Sequence, residues 1–485
     1  MSRSAPILAL TVTLALAGCS TAPRYDLVLA GGRVMDPASG LDAVRHIGIR
    51  GGRIMAISGT PLTGTEVVVV SGHVVAPGFI DIHAHGQTTG DMQIQARDGV
   101  TTALDMEVGV FPVASWYESR AGKSPLNYGA TVSHIVARFT AFHPGLEIGH
   151  WVTRRAVVAG LGVAPAGANR PAGTAELNTM HEAIHRGLDE GALGVGFGIN
   201  YTPAAEPSEI EAMFRVAAGR KVPVFVHTRA FGIAAIQEAI TTAKNTGAAL
   251  HLVHVGSSSI GDLPEVLKLI DASKAAGMDI STEVYPYTAA STMLESAMFN
   301  PGWQANLRIN YGDLAWSATG ERLTQESFER YRKQGGWVIL HMMKDEHVER
   351  AIAHPGVIIA SDGVPFIEGK GHPRGAGTFA RVLGHYSREK QLLPLMEALA
   401  KMTILPARRL EGHVPAMRRK GRIAIGADAD ITVFNPATVL DRATFEVPTT
   451  PSVGIPHVIV NGIFVVRDGQ MMPSVMPGRA VRNDK

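Results

Sequence analysis

The chain has 485 residues, 46% hydrophobic and 18% charged, a composition that describes a globular protein with a sizeable core. Its length fits two or three average domains or one large barrel with an accessory domain. Lys+Arg 45 against Asp+Glu 43 leaves a net charge of +2, and no basic run or aromatic-basic interleaving occurs, so no nucleic-acid partner is expected.

The first residues are of a different kind. Arg3 supplies a short basic start, residues 7–16 are apolar, and Leu16-Ala17-Gly18-Cys19 follows. That order describes a secretory leader over residues 1–18, too short for a membrane span. Its last four residues resemble the bacterial lipobox, which implies cleavage before Cys19 and acylation of that residue. Cys19 is the only cysteine, which excludes an internal disulfide framework and any thiolate zinc site. Ser20 resembles the sorting signal of outer-membrane lipoproteins. The expected location is the periplasm, with the membrane touched only through a lipid anchor.

Residues 25–76 alternate apolar and polar and turn often at glycines, and residues 410–485 behave alike around Ile431-Thr432-Val433-Phe434 and Val458-Ile459-Val460. Together they predict one small β-sandwich built from both ends of the chain. Between them, residues 77–409 alternate apolar strands with helical stretches. The predicted strands run Phe79 to His85, Thr101 to Glu107, Ala130 to Ala137, Leu193 to Gly198, Pro223 to His227, Leu250 to Val255, Asp279 to Tyr285 and Val357 to Asp362. Helices are expected over Pro207 to Ala218, opened by Ser208 with Glu211 as a capping box, and over Leu263 to Ala276. Eight such strands describe an α/β protein with a (β/α)8 TIM barrel. The aromatic-rich stretch 292–336 exceeds a barrel connection and is expected to be an insertion over the site.

Chemistry in this fold collects at the C-terminal ends of the strands. Five of the eight predicted strands end there in a metal-ligand residue: His83 and His85, Glu107, His227, His254 and Asp362. His83 and His85, as i and i+2, share one strand face. Imidazoles and carboxylates without a thiol suit Zn²⁺ or a similar divalent ion, one or two per chain. Asp105 competes with Glu107; strand phase, together with the position of the corresponding ligand in a resembling family, favours Glu107. His251 falls on the opposite strand face from His254 and is read as structural. No pattern assigns a role to His134, His143, His150 or His341.

His83-Ala84-His85, His227, His254 and Ser361-Asp362-Gly363, set between β-rich flanks, resemble the amidohydrolase superfamily. Gly99-Val100-Thr101-Thr102, Tyr285-Pro286-Tyr287-Thr288, His372-Pro373-Arg374, Gly377-Thr378-Phe379 and Pro406-Ala407-Arg408-Arg409-Leu410 are similar to the N-acyl-D-amino-acid deacylases, or D-aminoacylases. The likeness runs from about Tyr25 to Arg482. Many members carry a cysteine ligand after the second strand, where this chain has Glu107, and superfamily relatives often bridge two ions with a carboxylated lysine, which no strand end here supplies. A bridging Glu107 is therefore expected, which favours a binuclear site more than in the cysteine-bearing members and leaves the count at one or two ions. Gln87 stands where the family frequently has an aspartate, and Glu283 where some members have one.

The resemblance implies a metal-dependent hydrolase that cleaves an N-acyl-D-amino acid to a carboxylate and a free D-amino acid. Asp362 is expected to move the proton from water to the leaving amine. Resemblance suggests that Arg374 pairs with the substrate α-carboxylate and that Tyr285 donates to the acyl oxygen. Two alternatives stand beside this reading: a dipeptidase or cyclic amide hydrolase of the same superfamily, and a cell-surface binding protein without catalysis. The intact ligand set and Asp362 weigh against the second, since binding alone needs no base.

Overall fold

Eight strands form a single parallel sheet whose spatial order follows the chain: Phe79–Asp81, Val100–Val110, Asn127–Ser133, Val195–Gly198, Val224–His227, Leu250–Leu252, Ile280–Val284 and Ile358–Ile359. The computed structural model describes residues 24–146, 148–152 and 163–483, so the expected leader over 1–18 and the Cys19 lipidation site lie outside the described residues. The barrel closes between the first and last strands through a parallel bridge of Ala84 and Gly363, with His85 N and Gly86 N both donating to Gly363 O. Buried Asp81 seals that seam by accepting from Ser361 N at 3.0 Å, Ser361 Oγ at 2.5 Å and His83 N at 3.1 Å. Burial pushes its carboxyl up to about 6 against the pull of those donors.

Both flanks meet in one nine-stranded sheet. Tyr25–Asp36 pairs with Leu41–Arg50, Gly64–Val69 and Val74–Pro77, and Val74–Pro77 pairs in turn with Ile431–Phe434 from the far end of the chain. Leu29, Val34 and Ile47 share one core with Ile431, Val433 and Ile459. Each such buried side chain contributes about 1.5–3 kcal/mol, so neither flank is expected to hold its strands without the other. Asp430 ties this sheet to the barrel, accepting from Asn127 Nδ2 at 3.0 Å and Lys420 Nζ at 2.7 Å.

Three local expectations are corrected. The third barrel strand ends at Ser133, not Ala137, because the Ser133 hydroxyl accepts from Val136 N and starts the helix His134–Phe142. The helix Pro207–Gly219 starts from Glu206 with Pro207 in its first turn, so Ser208 lies inside it and forms no capping box. The insertion is wider than 292–336: Ala289–Met293, Leu314–Trp316 and Trp337–His341 make a three-stranded antiparallel sheet. Its own core stacks Trp303 on Phe328 and Trp316 on Tyr331.

Candidate metal centre and active site

His83 and His85 lie just beyond the first barrel strand, and their Nε2 atoms stand 3.0 Å apart. Each ring has its other nitrogen held by a buried carboxylate. His83 Nδ1 donates to Glu283 Oε1, and His85 Nδ1 donates to Asp105 Oδ2 at 3.0 Å. With the proton on Nδ1, each Nε2 turns a lone pair toward the same point. Glu107 Oε2 reaches that point at 2.5 Å from His83 and 3.3 Å from His85, and Asp362 Oδ1 at 3.5 and 3.6 Å. Neutral imidazole nitrogens and carboxylate oxygens are all acceptors here, and only protons or a cation can satisfy them together.

Glu107 also belongs to a second group. Its Oε1 lies 2.8 Å from His227 Nδ1, while His254 Nε2 is 3.1 Å from that nitrogen and 3.8 Å from Glu107 Oε2. His254 Nδ1 is held by Ser258 Oγ at 2.9 Å. Burial, together with the neighbouring His227, holds the His254 imidazole well below its ordinary value, the neutral form a ligand needs. One carboxylate therefore gives an oxygen to each histidine pair. Among the described residues, His83, His85, Glu107 and Asp362 form one group with metal-ligand spacing, and Glu107, His227 and His254 form another. The donor set fits one or two ions of the Zn²⁺ type.

Asp362 is buried beside the first group with φ +50°, and His254 has φ +37°. Left-handed backbone is uncommon for non-glycine residues, and Asp and His adopt it more readily than most. Burial raises the Asp362 carboxyl above the usual range, although Arg374, His83 and His85 pull it down. Arg374 Nη1 lies 2.9 Å from Asp362 Oδ2, and its guanidinium stacks 4.5 Å over the Tyr285 ring. Arg374 is itself fully buried, and the buried Tyr285 hydroxyl lies beside Ser257 and Arg374. Tyr285, Asp362, His85, Glu107, His227 and His254 line one cavity, walled on one side by the insertion.

All six predicted ligands thus come together, with Tyr285 and Arg374 beside them. Three supporting residues were not assigned from the sequence. Asp105 and Glu107 are i and i+2 on one strand, so the alternation that favoured Glu107 aims Asp105 the same way, into the position behind His85. Glu283 takes the matching place behind His83 and is held in turn by His251 Nε2 at 3.1 Å. His150 lies on a loop, bonded to Asp105 Oδ2 at 2.6 Å, and no local pattern announces it. His134 instead pairs with Glu209, away from the centre.

The sequence matches the amidohydrolase family over residues 66–466. It is 31% identical to an N-acyl-D-glutamate deacylase of Alcaligenes xylosoxydans xylosoxydans, covering 95% of this chain and 97% of the relative. A D-aminoacylase of the same organism is 32% identical over 91% of this chain and 95% of its own length. Among solved structures, an N-acyl-D-glutamate deacylase from Bordetella bronchiseptica, complexed with zinc and a phosphonate inhibitor, superposes with a TM-score of 0.80 at 27% identity, covering 95% of this chain and all of that one. A D-aminoacylase described with a binuclear metal centre superposes with a TM-score of 0.79 at 29% identity, covering 94% and 100%.

Proposed function

Since the chain belongs to the amidohydrolase family, we propose that it hydrolyses the amide bond of N-acyl-D-amino acids, yielding a carboxylate and a free D-amino acid. The observation that carries this reading is the meeting, at one cavity, of a shared-carboxylate ligand set, a buried carboxylate at Asp362 and Tyr285, with Arg374 paired to Asp362 behind it. The names of the relatives, which act on N-acyl-D-glutamate or as D-aminoacylases, support the substrate class.

His83, His85, His227 and His254 would hold the ions, with Glu107 shared between them and Asp362 on one side. A bound divalent ion lowers the pKa of water and polarises a carbonyl oxygen. The chain's own groups do the rest. Asp362 takes a proton as the water oxygen bonds to the acyl carbon, then delivers it to the amide nitrogen as the C–N bond breaks. Tyr285 donates its hydroxyl to the oxygen on which charge develops. Arg374 leaves Asp362 for the substrate α-carboxylate, which its planar fork can grip bidentately.

Hydrolysis of matched N-acetyl-D- and N-acetyl-L-amino acids by zinc-loaded protein without its leader tests the reading. Turnover confined to the D series is expected. Turnover confined to the L series, or none in either, overturns it.

We also propose, on the sequence alone, that Cys19 carries the lipid that holds the enzyme on the periplasmic side of a membrane. Cys19→Ser should move the protein to the soluble fraction or leave it unprocessed; equal membrane retention of both forms would refute the lipobox reading.

A further inference from the structure

Only residues 20–24 separate Cys19 from Tyr25, where the first strand of the sandwich begins. Fully extended, that stretch reaches about 20 Å. With a lipid on Cys19, the end of the sandwich that carries Tyr25 therefore stays close to the membrane surface.

That end has a distinct chemistry. Asp26 accepts from Gly51 N at 2.8 Å, so the start of the strand lies beside the turn Gly51–Gly52. A methyl group on Gly52 would meet Asn461 O at 2.7 Å and Arg479 Nη2 at 3.9 Å, so the turn Asn461–Gly462 and the Arg479 guanidinium sit against it. Arg50 and Arg53 flank the first turn, and Ile463 follows the second. Arg53 Nη1 donates to Gly426 O at 2.9 Å, which brings in Ile425. Ile425 is 71% exposed and Ile463 51% exposed. Arg50 and Arg479 are exposed too, and neither forms an ion pair among the described residues. The nearby acids are already engaged: Asp26 by Gly51 N, and Asp428 by Arg419 and Lys420, each at 3.2 Å. Single exposed apolar side chains are ordinary on any surface. Two isoleucines among unpaired arginines, at the end nearest the anchor, are complementary to phosphate headgroups over acyl chains.

The same end fixes which way the enzyme would face. Asn461 Nδ2 and Arg479 N both donate to Asn127 Oδ1, at 2.8 and 3.0 Å. Asn127 begins the third barrel strand, whereas His83 and His85 lie beyond the end of the first and His227 ends the fifth. Since the barrel strands are parallel, the arginine-isoleucine end and the catalytic cavity lie at opposite ends of the barrel.

We propose that this end of the sandwich docks on an anionic phospholipid surface, with Arg50, Arg53 and Arg479 at the headgroups and Ile425 and Ile463 among them, so that the cavity opens away from the membrane toward dissolved substrate. The proposal rests on the Cys19 reading for what brings the two surfaces together. Three arginines and two isoleucines orient a tethered protein but do not hold it alone, so loss of the anchor still releases it.

Because Cys19 is the only cysteine, the Cys19→Ser protein without residues 1–18 has neither lipid nor thiol. Its sedimentation at low ionic strength with vesicles of phosphatidylcholine, and with vesicles of equal parts phosphatidylcholine and phosphatidylglycerol, reads the docking surface without the anchor. Binding to the mixed vesicles alone is expected, weakening as salt rises. Each arginine near such a surface contributes about 5-fold, so Arg50→Ala with Arg479→Ala should weaken binding about 25-fold. Lys333→Ala with Lys344→Ala, two exposed lysines on and beside the insertion, should leave it unchanged. A polarity-sensitive dye on Ile425→Cys should enter a less polar surrounding on the mixed vesicles, and the same dye on Lys344→Cys should not. No binding to the mixed vesicles, unchanged binding after loss of Arg50 and Arg479, or equal dye responses at the two sites overturns the docking surface. Turnover and melting temperature equal to those of the parent protein show that each variant is folded. Membrane release of Cys19→Ser in cells reads the anchor separately, so either idea can fail while the other stands.

Discussion

His150 donates through Nε2 to Asp105 Oδ2 at 2.6 Å, and that same oxygen accepts from His85 Nδ1 at 3.0 Å. Asp105 is fully buried, and although burial opposes its charge, His85 and His150 hold the carboxyl far below the usual range. A loop residue thereby steadies the carboxylate that sets the tautomer of His85. The next two residues, Trp151 and Val152, are helical and line the cavity, so one short segment reaches both the support of His85 and the cavity wall.

Asp105→Asn keeps the size of the side chain but leaves one oxygen to serve His85, His150 and Gly109 N. Loss of such an outer partner typically costs about 10–100-fold in metal affinity. Chelator competition should show that loss for Asp105→Asn and a smaller one for His150→Gln, whose amide can still donate. Unchanged affinity in both would remove this relay from the description of the site.

Glu107 gives an oxygen to each histidine pair, so its loss should touch both positions at once. Elemental analysis of Glu107→Ala should find fewer ions per chain than Asp105→Ala retains. The reverse order would mean that Asp105 is the ligand and Glu107 its support.

Asp362→Asn preserves shape but cannot accept the proton from water. Its kcat should fall about 10²- to 10⁴-fold while metal content stays near that of the wild type. Near-normal turnover by a metal-loaded variant would move the search for the base to Glu107 or Glu283.

Burial opposes charge on the His85 imidazole, but Asp105 and Glu107 outweigh it and raise its pKa to about 9 in the ion-free protein. An ion that takes Nε2 must displace that proton. Metal affinity should therefore rise with pH up to about 9, and calorimetry near pH 7 in buffers of different ionisation enthalpy should show net proton release. A pH-independent affinity with no proton release would contradict this account.

Away from the centre, Glu209 is buried between His134 Nε2, at 2.8 Å, and Arg138 Nη1. Burial favours its neutral form, yet the two bases hold its pKa below the ordinary glutamate range. A depressed carboxyl pKa adds stability that is present above the unfolded value and is lost as pH falls through the folded one. Breaking such a buried pair costs about 3–5 kcal/mol. Glu209→Gln should lower the neutral-pH melting temperature and flatten its decline in acid. A parallel decline in both proteins would show that Glu209 does not govern it.

The sequence by itself determined the eight barrel strands in order and the residues of metal-ligand type at their ends. Strand alternation and glycine punctuation are local signals, and a buried histidine at a strand end stands out against the valines and isoleucines around it. It also placed Asp105 and Glu107 on one face, although a choice between them is unnecessary once the site is assembled. The tertiary structure decided what those residues do to one another. His83 meets Glu283 across 200 positions, and Ser361 meets Asp81 across 280. Whether Arg374 rests on Asp362, which oxygen of Glu107 serves which histidine pair, and which wall the insertion presents all depend on distances between strands far apart in the chain. Periodicity constrains a residue's face only within its own element, so those pairings exist only once the barrel closes.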